Sequence, residues 1–328
     1  MTRPASVFAM SPARLAGLAL WLLALALPWL APQRALLINE IAILALFVLS
    51  LDLILGFAGI VSLGHAAFLG IGAYAAALLA RAGIGDPLAG LAVAGLCAAA
   101  AGFATSFLVL RGGDLTRLMV TLGIGMLLLE AANRLAWLTG GADGLSDIPV
   151  GPLLGLFDFD FQGRAAAAYS LCVLALAFGL ARALMASPFG FALRAIRDNR
   201  LRAEAVGIPV ERRLVAIYTL AAALAGVAGG LQAQTSQFVS LGLLDFHRSA
   251  EALLVLVIGG AGTLYGALFG AVAFRLLQEG LLRLWPQHWE FFVGLGLVVF
   301  VLVGHERMRT AGRALLARLP PALRGGNR

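Results

Sequence analysis

Apolar runs of roughly 20 residues follow one another along nearly the whole chain, and each is long enough to cross a bilayer's hydrocarbon core as a helix. Nothing else in the sequence restricts the fold so strongly. Of 328 residues, 61% are hydrophobic and only 12% are charged, where a soluble domain is nearer half apolar and a quarter charged. The runs are rich in Ala, Leu and Gly. They show no two-residue alternation, which argues against a transmembrane β-barrel. The sequence therefore predicts an all-α polytopic membrane protein.

The spans can be placed one by one. Leu15–Leu30 reads as a retained first helix, because no small-x-small cleavage site follows it. Leu36–Leu55, Phe57–Ala80, Leu88–Leu110 and Leu118–Leu138 follow, with breaks at Arg81–Pro87 and Arg111–Arg117. Ala165–Met185 and Leu214–Gln234 come next. The block Glu251–Leu284 is too long for one span and is interrupted by Gly259, Gly260, Gly262, Gly266 and Gly270, so it divides near Gly262. Glu290–Val303 is the last. The expectation is about ten transmembrane helices in a single membrane domain over 1–328, or eight if Glu251–Gly262 only dips in and returns.

Charge sets the sidedness. Lysine is absent, so all 24 basic residues are arginine against 17 acids, for a net charge of +7. Arginines beside spans mark cytoplasmic segments. They place the N-terminus, Arg111–Arg117, the loop 187–213 and the tail 305–328 inside. Thr139–Gly163, rich in acids and turn formers, and Thr235–His247 fall outside. The positive balance serves membrane orientation rather than nucleic-acid binding. Without lysine there is no Gly-Lys-Ser/Thr loop to hold phosphates, so ATP hydrolysis by that route is excluded. Cys97 and Cys172 lie inside apolar runs and read as small packing residues. No His/Cys/Asp/Glu set has metal-ligand spacing, and no cofactor is expected.

The loop 187–213 carries Arg194, Arg197, Arg200, Arg202, Arg212 and Arg213. Within it, Phe191–Val206 predicts one short helix, supported by Asp198–Arg202 and Arg200–Glu204 at i,i+4. Gly207 supplies a C′ residue and Pro209 a stop. By charge alone this is equally a solvated surface loop or a docking element for a cytoplasmic partner.

The stretch Leu55–Leu79 is where chemistry is expected. It is apolar enough to span, yet it holds Gly56, Gly59, Gly64, Gly70 and Gly72, with Ser62 and His65 between them. Such glycines let other backbone approach or let a helix break. A Ser and a His are costly in hydrocarbon unless they have partners or face water. Gly59, Ser62, Gly64 and His65 are therefore candidate pathway residues on a helix running through Gly59–Gly72, where Ser62 and His65 share a face. The plainer alternatives are a His65 bonded to a neighbouring helix's carbonyl and a Ser62 bonded back to its own helix. Asp52 and Glu130 read as partners of Arg134 or of polar groups across helices, not as ligands. A shorter echo, Gly259-Gly-Ala-Gly-Thr-Leu-Tyr-Gly-Ala-Leu-Phe-Gly, adds Gly262 and Gly266. Paired Gly-interrupted segments in inverted halves point to a transport site.

Two of these stretches resemble one family. Gly56-Phe-Ala-Gly-Ile-Val-Ser-Leu-Gly-His-Ala-Ala-Phe-Leu-Gly-Ile-Gly-Ala-Tyr is similar to the signature of the permeases of branched-chain amino acid ABC importers, and Phe189-Gly-Phe-Ala-Leu-Arg-Ala-Ile-Arg-Asp-Asn-Arg is similar to their cytoplasmic loop. Thr139-Gly-Gly-Ala-Asp-Gly-Leu-Ser-Asp-Ile-Pro points to the LivM-like branch. The resemblance covers roughly Leu36 to Val303. It implies an inverted-repeat permease of the bacterial inner membrane, with both termini cytoplasmic. It implies partners too: a LivH-like second permease, two ABC ATPase subunits (LivG/LivF-like) and a periplasmic substrate-binding protein. Arg194, Arg197, Asp198, Glu204 and Gly207 would then couple to an ATPase. The cargo would be branched-chain amino acids or a similar small polar solute. The rival is a stand-alone secondary transporter or channel, which the scarcity of intramembrane ionisable residues disfavours. An intramembrane enzyme would need a third group beside Ser62 and His65, and none can be named.

Overall fold

The structure, a computed structural model, describes residues 12–153, 155, 163–284, 291, 294 and 295. Twelve α-helices lie among them: α1 (Pro12–Leu30), α2 (Ala35–Asp52), α3 (Ala66–Arg81), α4 (Pro87–Val109), α5 (Asp114–Arg134), α6 (Ala136–Thr139), α7 (Arg164–Ala186), α8 (Pro188–Asp198), α9 (Arg200–Ala205), α10 (Val210–Ser236), α11 (Phe246–Gly259) and α12 (Tyr265–Leu284). Among the described residues, five stretches are long and apolar enough to cross a membrane: Pro32–Phe57, Pro87–Val109, Asp114–Arg134, Arg164–Ala186 and Val210–Ser236. The expected span Glu290–Val303 and the tail 305–328 fall outside the described residues, apart from three positions.

Two compact units divide the chain, residues 1–272 and 273–328. In the first, α2 and α10 form the centre. Every residue from Ala42 to Ile54 is buried. That follows from a sequence apolar on all sides, which a helix can hold only when covered on all sides. Helix α10 packs on α4, α3 and α2, and α2 packs on α7 and α11. Small residues make these contacts close. A Cβ on Gly72 would lie 2.6 Å from the Gly226 carbonyl carbon, and one on Gly230 2.9 Å from the Ala94 methyl. With no hydrophobic drive between helices in lipid, such backbone proximity is what holds them together. Polar pairs add to it: Ser170 Oγ donates to Asn39 Oδ1 at 2.6 Å, joining α7 to α2.

By contrast α5 leaves most of its surface uncovered, with Leu115, Met119, Met126 and Leu127 exposed. The segments 139–163 and 235–247 meet in an antiparallel bridge between Leu145 and Val239, with N–H to O distances of 2.8 and 2.9 Å. In the second unit the end of α12 carries a local bond from Arg275 to Gln278 at 2.7 Å and an ion pair between Arg283 and Glu279.

The structure corrects three expectations. The span Phe57–Ala80 is not one helix. The chain leaves α2 through a wider π turn over Leu53–Phe57, runs as irregular backbone to His65, and becomes helical only at Ala66. Phe191–Val206 is two helices, because Asn199 turns extended and its side chain caps the Arg202 N–H at 2.9 Å. The Asp198–Arg202 pair therefore does not form, and Asp198 lies 3.8 Å from Arg197 Nε instead. Cys97 and Cys172 face outward from their helices rather than packing within the chain.

Candidate functional site

The irregular segment 58–65 lies among helices, so its backbone polar groups need protein partners. Two neighbouring helices supply side-chain acceptors to backbone donors at Leu63 and at Ala66, and a third holds the His65 side chain. Leu63 N–H donates to Thr121 Oγ1 on α5 at 3.2 Å, and Ala66 N–H donates to Ser249 Oγ on α11 at 2.8 Å. Ser50 on α2 takes the His65 ring, with Oγ 2.8 Å from Nε2. The Ser50 proton is already given to the Phe47 carbonyl at 2.6 Å, so Nε2 is the donor and His65 is the Nε2–H tautomer. The ring stacks on Phe47 at 5.5 Å and meets the edge of Phe68 at 5.7 Å. Neither His65 Nδ1 nor Ser62 Oγ has a hydrogen-bond partner among the described residues, and both side chains are fully buried. His65 thus bonds a neighbouring helix through a hydroxyl rather than a carbonyl, Ser62 does not bond back, and the two do not share a helix face. Replacing Ser50 with alanine should cost about 1–3 kcal/mol by stranding the ring. Thermal unfolding of the purified chain would measure this, and an unchanged midpoint would contradict it.

Gly64 shows why this segment must be bare. A Cβ there would lie 2.8 Å from the Thr121 carbonyl carbon and 3.4 Å from Gly125 N, both backbone.

A second break faces the first. Between α11 and α12 the chain turns through Gly260–Leu264, with Gly262 at φ +82°. The Gly262 and Leu264 N–H groups find no acceptor within the turn itself. Asp52, at the end of α2, closes the gap: Oδ1 accepts from Gly262 N–H at 2.6 Å and Oδ2 from Leu264 N–H at 3.0 Å. Asp52 is fully buried, and it does not pair with Arg134, which bonds Glu130 locally at 2.7 Å. Gly56 makes the approach feasible, since a Cβ on it would sit 2.7 Å from Gly262 Cα. Gly266 packs against the same turn and donates its N–H to Thr263 Oγ1 at 2.9 Å.

The arginine-rich loop reaches this junction. Arg197 Nη1 donates to the Gly56 carbonyl. Its stem lies over Gly59, where a Cβ would fall 2.9 Å from Arg197 Cγ and where φ is +71°. Arg194 donates to the Met185 carbonyl at 2.5 Å, and its guanidinium sits 4.8 Å from the Phe191 ring and 5.9 Å from the Phe57 ring. Helix α8 buries Gly190, Leu193 and Ile196 against the bundle, while Phe191, Leu201 and Val206 stay exposed. Arg200 pairs with Glu204 at 3.0 Å. Gly207 ends α9 at φ +89°, with its N–H on the Glu204 carbonyl at 2.9 Å. The structure thus brings Gly59, Gly262 and Arg197 together around Asp52 and places Ser62, Gly64 and His65 along the first break. Asp198, Glu204 and Gly207 lie away from that junction on the exposed side of the loop.

Sequence reasoning missed Asp52 as the hub, along with Ser50, Thr121 and Ser249. The signal for Asp52 was its charge inside an apolar span, which demands a partner.

A helical membrane bundle with two broken spans, joined to each other by Asp52 and with an arginine-rich loop bonded to the first of them, fits a transport permease component. The chain belongs to the family described as branched-chain amino acid transport system / permease component, which it matches over residues 34–302. It is 31% identical to the high-affinity branched-chain amino acid transport system permease protein LivM of Escherichia coli K12, over 87% of this chain and 72% of that protein. The corresponding LivM of Salmonella typhimurium LT2 is 30% identical over the same shares. The autoinducer 2 import system permease protein LsrC of Klebsiella pneumoniae is 30% identical over 62% of this chain and 57% of that protein. No solved structure matches the chain.

Proposed function

We propose that this chain forms one half of the passage of an ABC importer for branched-chain amino acids or a similar small polar solute. It would sit in the bacterial inner membrane with both termini inside. A LivH-like permease forms the other half, two ATPase subunits supply energy from the cytoplasm, and a periplasmic binding protein delivers the solute. The segment 139–163 lies on the periplasmic side and 187–213 is the coupling element.

The bond from Arg197 to the Gly56 carbonyl is the observation that carries this reading. It ties the loop that faces the motor to the point where the first broken span leaves α2. Asp52 ties that same point to the second break. A push on α8 is therefore delivered to both discontinuities at once. The exposed Leu201 and Val206 on and beside α9 are where an ATPase docks, and Arg197 conveys its movement inward. Gly59, Ser62, Gly64, His65, Gly262 and Gly266 lie on the segments that repack between outward-open and inward-open states.

Two variants separate docking from transmission. Leu201→Asp should weaken copurification of the ATPase subunits. Arg197→Ala should leave the complex assembled and ATP hydrolysis running, but lower uptake about tenfold, the effect of losing roughly 1.4 kcal/mol of coupling. The assay is paired uptake and hydrolysis in proteoliposomes carrying the complete importer. Unchanged uptake by the Arg197→Ala complex would refute the transmission path. Concentrative uptake by this chain alone would refute the importer reading altogether.

A further inference from the structure

A crevice of about 570 Å³ opens between the end of α4 and the start of α10, well apart in sequence from the two breaks. Phe103 and Phe107 form its apolar wall, and Arg111, Glu211 and Arg212 stand around it. Thr219 lies in its lining with its hydroxyl shielded from solvent and unpartnered among the described residues. No hydrogen bond or ion pair among the described residues engages the side chains of Arg111, Glu211 or Arg212, and all three are exposed.

Helix electrostatics explains part of this arrangement and fails at one residue. Arg111 follows the C-terminus of α4 and Glu211 is in the first turn of α10, both favourable against the helix dipoles. Arg212 also lies in the first turn of α10, where a cation is unfavourable. Its neighbour Arg213 is accounted for by the Phe189 ring, 5.1 Å away. Arg212 has no such partner and turns to the crevice.

Two cations, one anion and an aromatic wall at the end of membrane helices match a phospholipid with an amine headgroup. We propose that this crevice binds phosphatidylethanolamine. Arg111 and Arg212 take the phosphate, Glu211 takes the ammonium, and the acyl chains run along Phe103 and Phe107. Basic pockets between membrane helices on the cytoplasmic side are suited to lipid phosphates. Only the choice of leaflet rests on the sidedness proposed above; the chemistry does not depend on the transport role.

The test is native mass spectrometry of the delipidated full-length chain, titrated with phosphatidylethanolamine and with phosphatidylglycerol. The wild type should retain phosphatidylethanolamine in preference. Replacing each arginine with glutamine should weaken retention about tenfold, the effect of one charge-assisted hydrogen bond. Arg81→Gln, at the far end of α3, should leave it unchanged. Glu211→Gln should turn the preference toward phosphatidylglycerol. Equal retention by the wild type and the Arg111→Gln/Arg212→Gln variant would overturn the proposal, as would a wild-type preference for phosphatidylglycerol. A photoreactive residue at Val215 in the assembled importer keeps the test valid if the arginine variants misfold. A lipid adduct supports the site, and a protein adduct with no lipid shows that a partner subunit covers the crevice instead.

Discussion

Asp52→Ala is expected to lower the stability of the chain by about 2–6 kcal/mol, because it strands two backbone donors at about 1–3 kcal/mol each. The Gly262 and Leu264 N–H groups have the fully buried Asp52 carboxylate as their partner. A change of that size is a large share of a typical domain's total. Asp52→Asn should fall between, since its amide oxygen accepts one bond while its NH2 faces the second donor. Both variants should also lose uptake, because the turn between α11 and α12 is no longer held to α2. Thermal unfolding in detergent and uptake by the reconstituted importer are the measurements. A wild-type midpoint for Asp52→Ala would show that the carboxylate does not hold the break.

Gly64→Leu is expected to abolish uptake. Its Cβ alone would stand 2.8 Å from the Thr121 carbonyl carbon, and the obstructing atoms are helical backbone with no rotamer to yield. Overpacking of this kind costs about 3 kcal/mol or more when nothing can move aside. The segment would have to leave α5, which also breaks the bond from Leu63 N–H to Thr121. Gly123→Ala, on α5, is the control. No atom lies within 4 Å of a Cβ at that position, so it should be neutral or stabilise by up to about 1 kcal/mol. Normal uptake by well-expressed Gly64→Leu protein would show that the close approach is dispensable.

What could be read from the sequence was mostly what depends on neighbours in the chain. The division near Gly262 was legible because glycines cluster there in a block too long for one span. The Arg200–Glu204 pair and the Gly207 stop were legible because each is set within a turn of helix. The glycines after Leu55 allowed for a break but did not place it, and Phe57–Ala80 read as one span. Its residues are as apolar as a continuous span, and the groups that allow it to unwind come from Ser50, Thr121 and Ser249 on three other helices. Asn199 is a different kind of miss. A side chain that caps helices well sat in the middle of an expected helix, and two i,i+4 charge pairs outweighed it in the reading. The junction itself lay beyond reach, since Asp52 and its partner Gly262 are 210 residues apart.

That separation has a consequence for synthesis. At about 5–20 residues per second, a ribosome delivers residue 262 about 10 to 40 seconds after residue 52. Throughout that interval the nascent chain holds a carboxylate whose eventual partners have not been made. Hydrocarbon would not tolerate it bare, so α2 has to wait near the headgroups, or in the shelter of the insertion machinery, until the C-terminal half emerges. Helices α7 and α10 can pack on α2 before then, but the junction at Asp52 closes only once Gly262 and Leu264 have been made, and a ribosome that stalls before them leaves that acid unmatched.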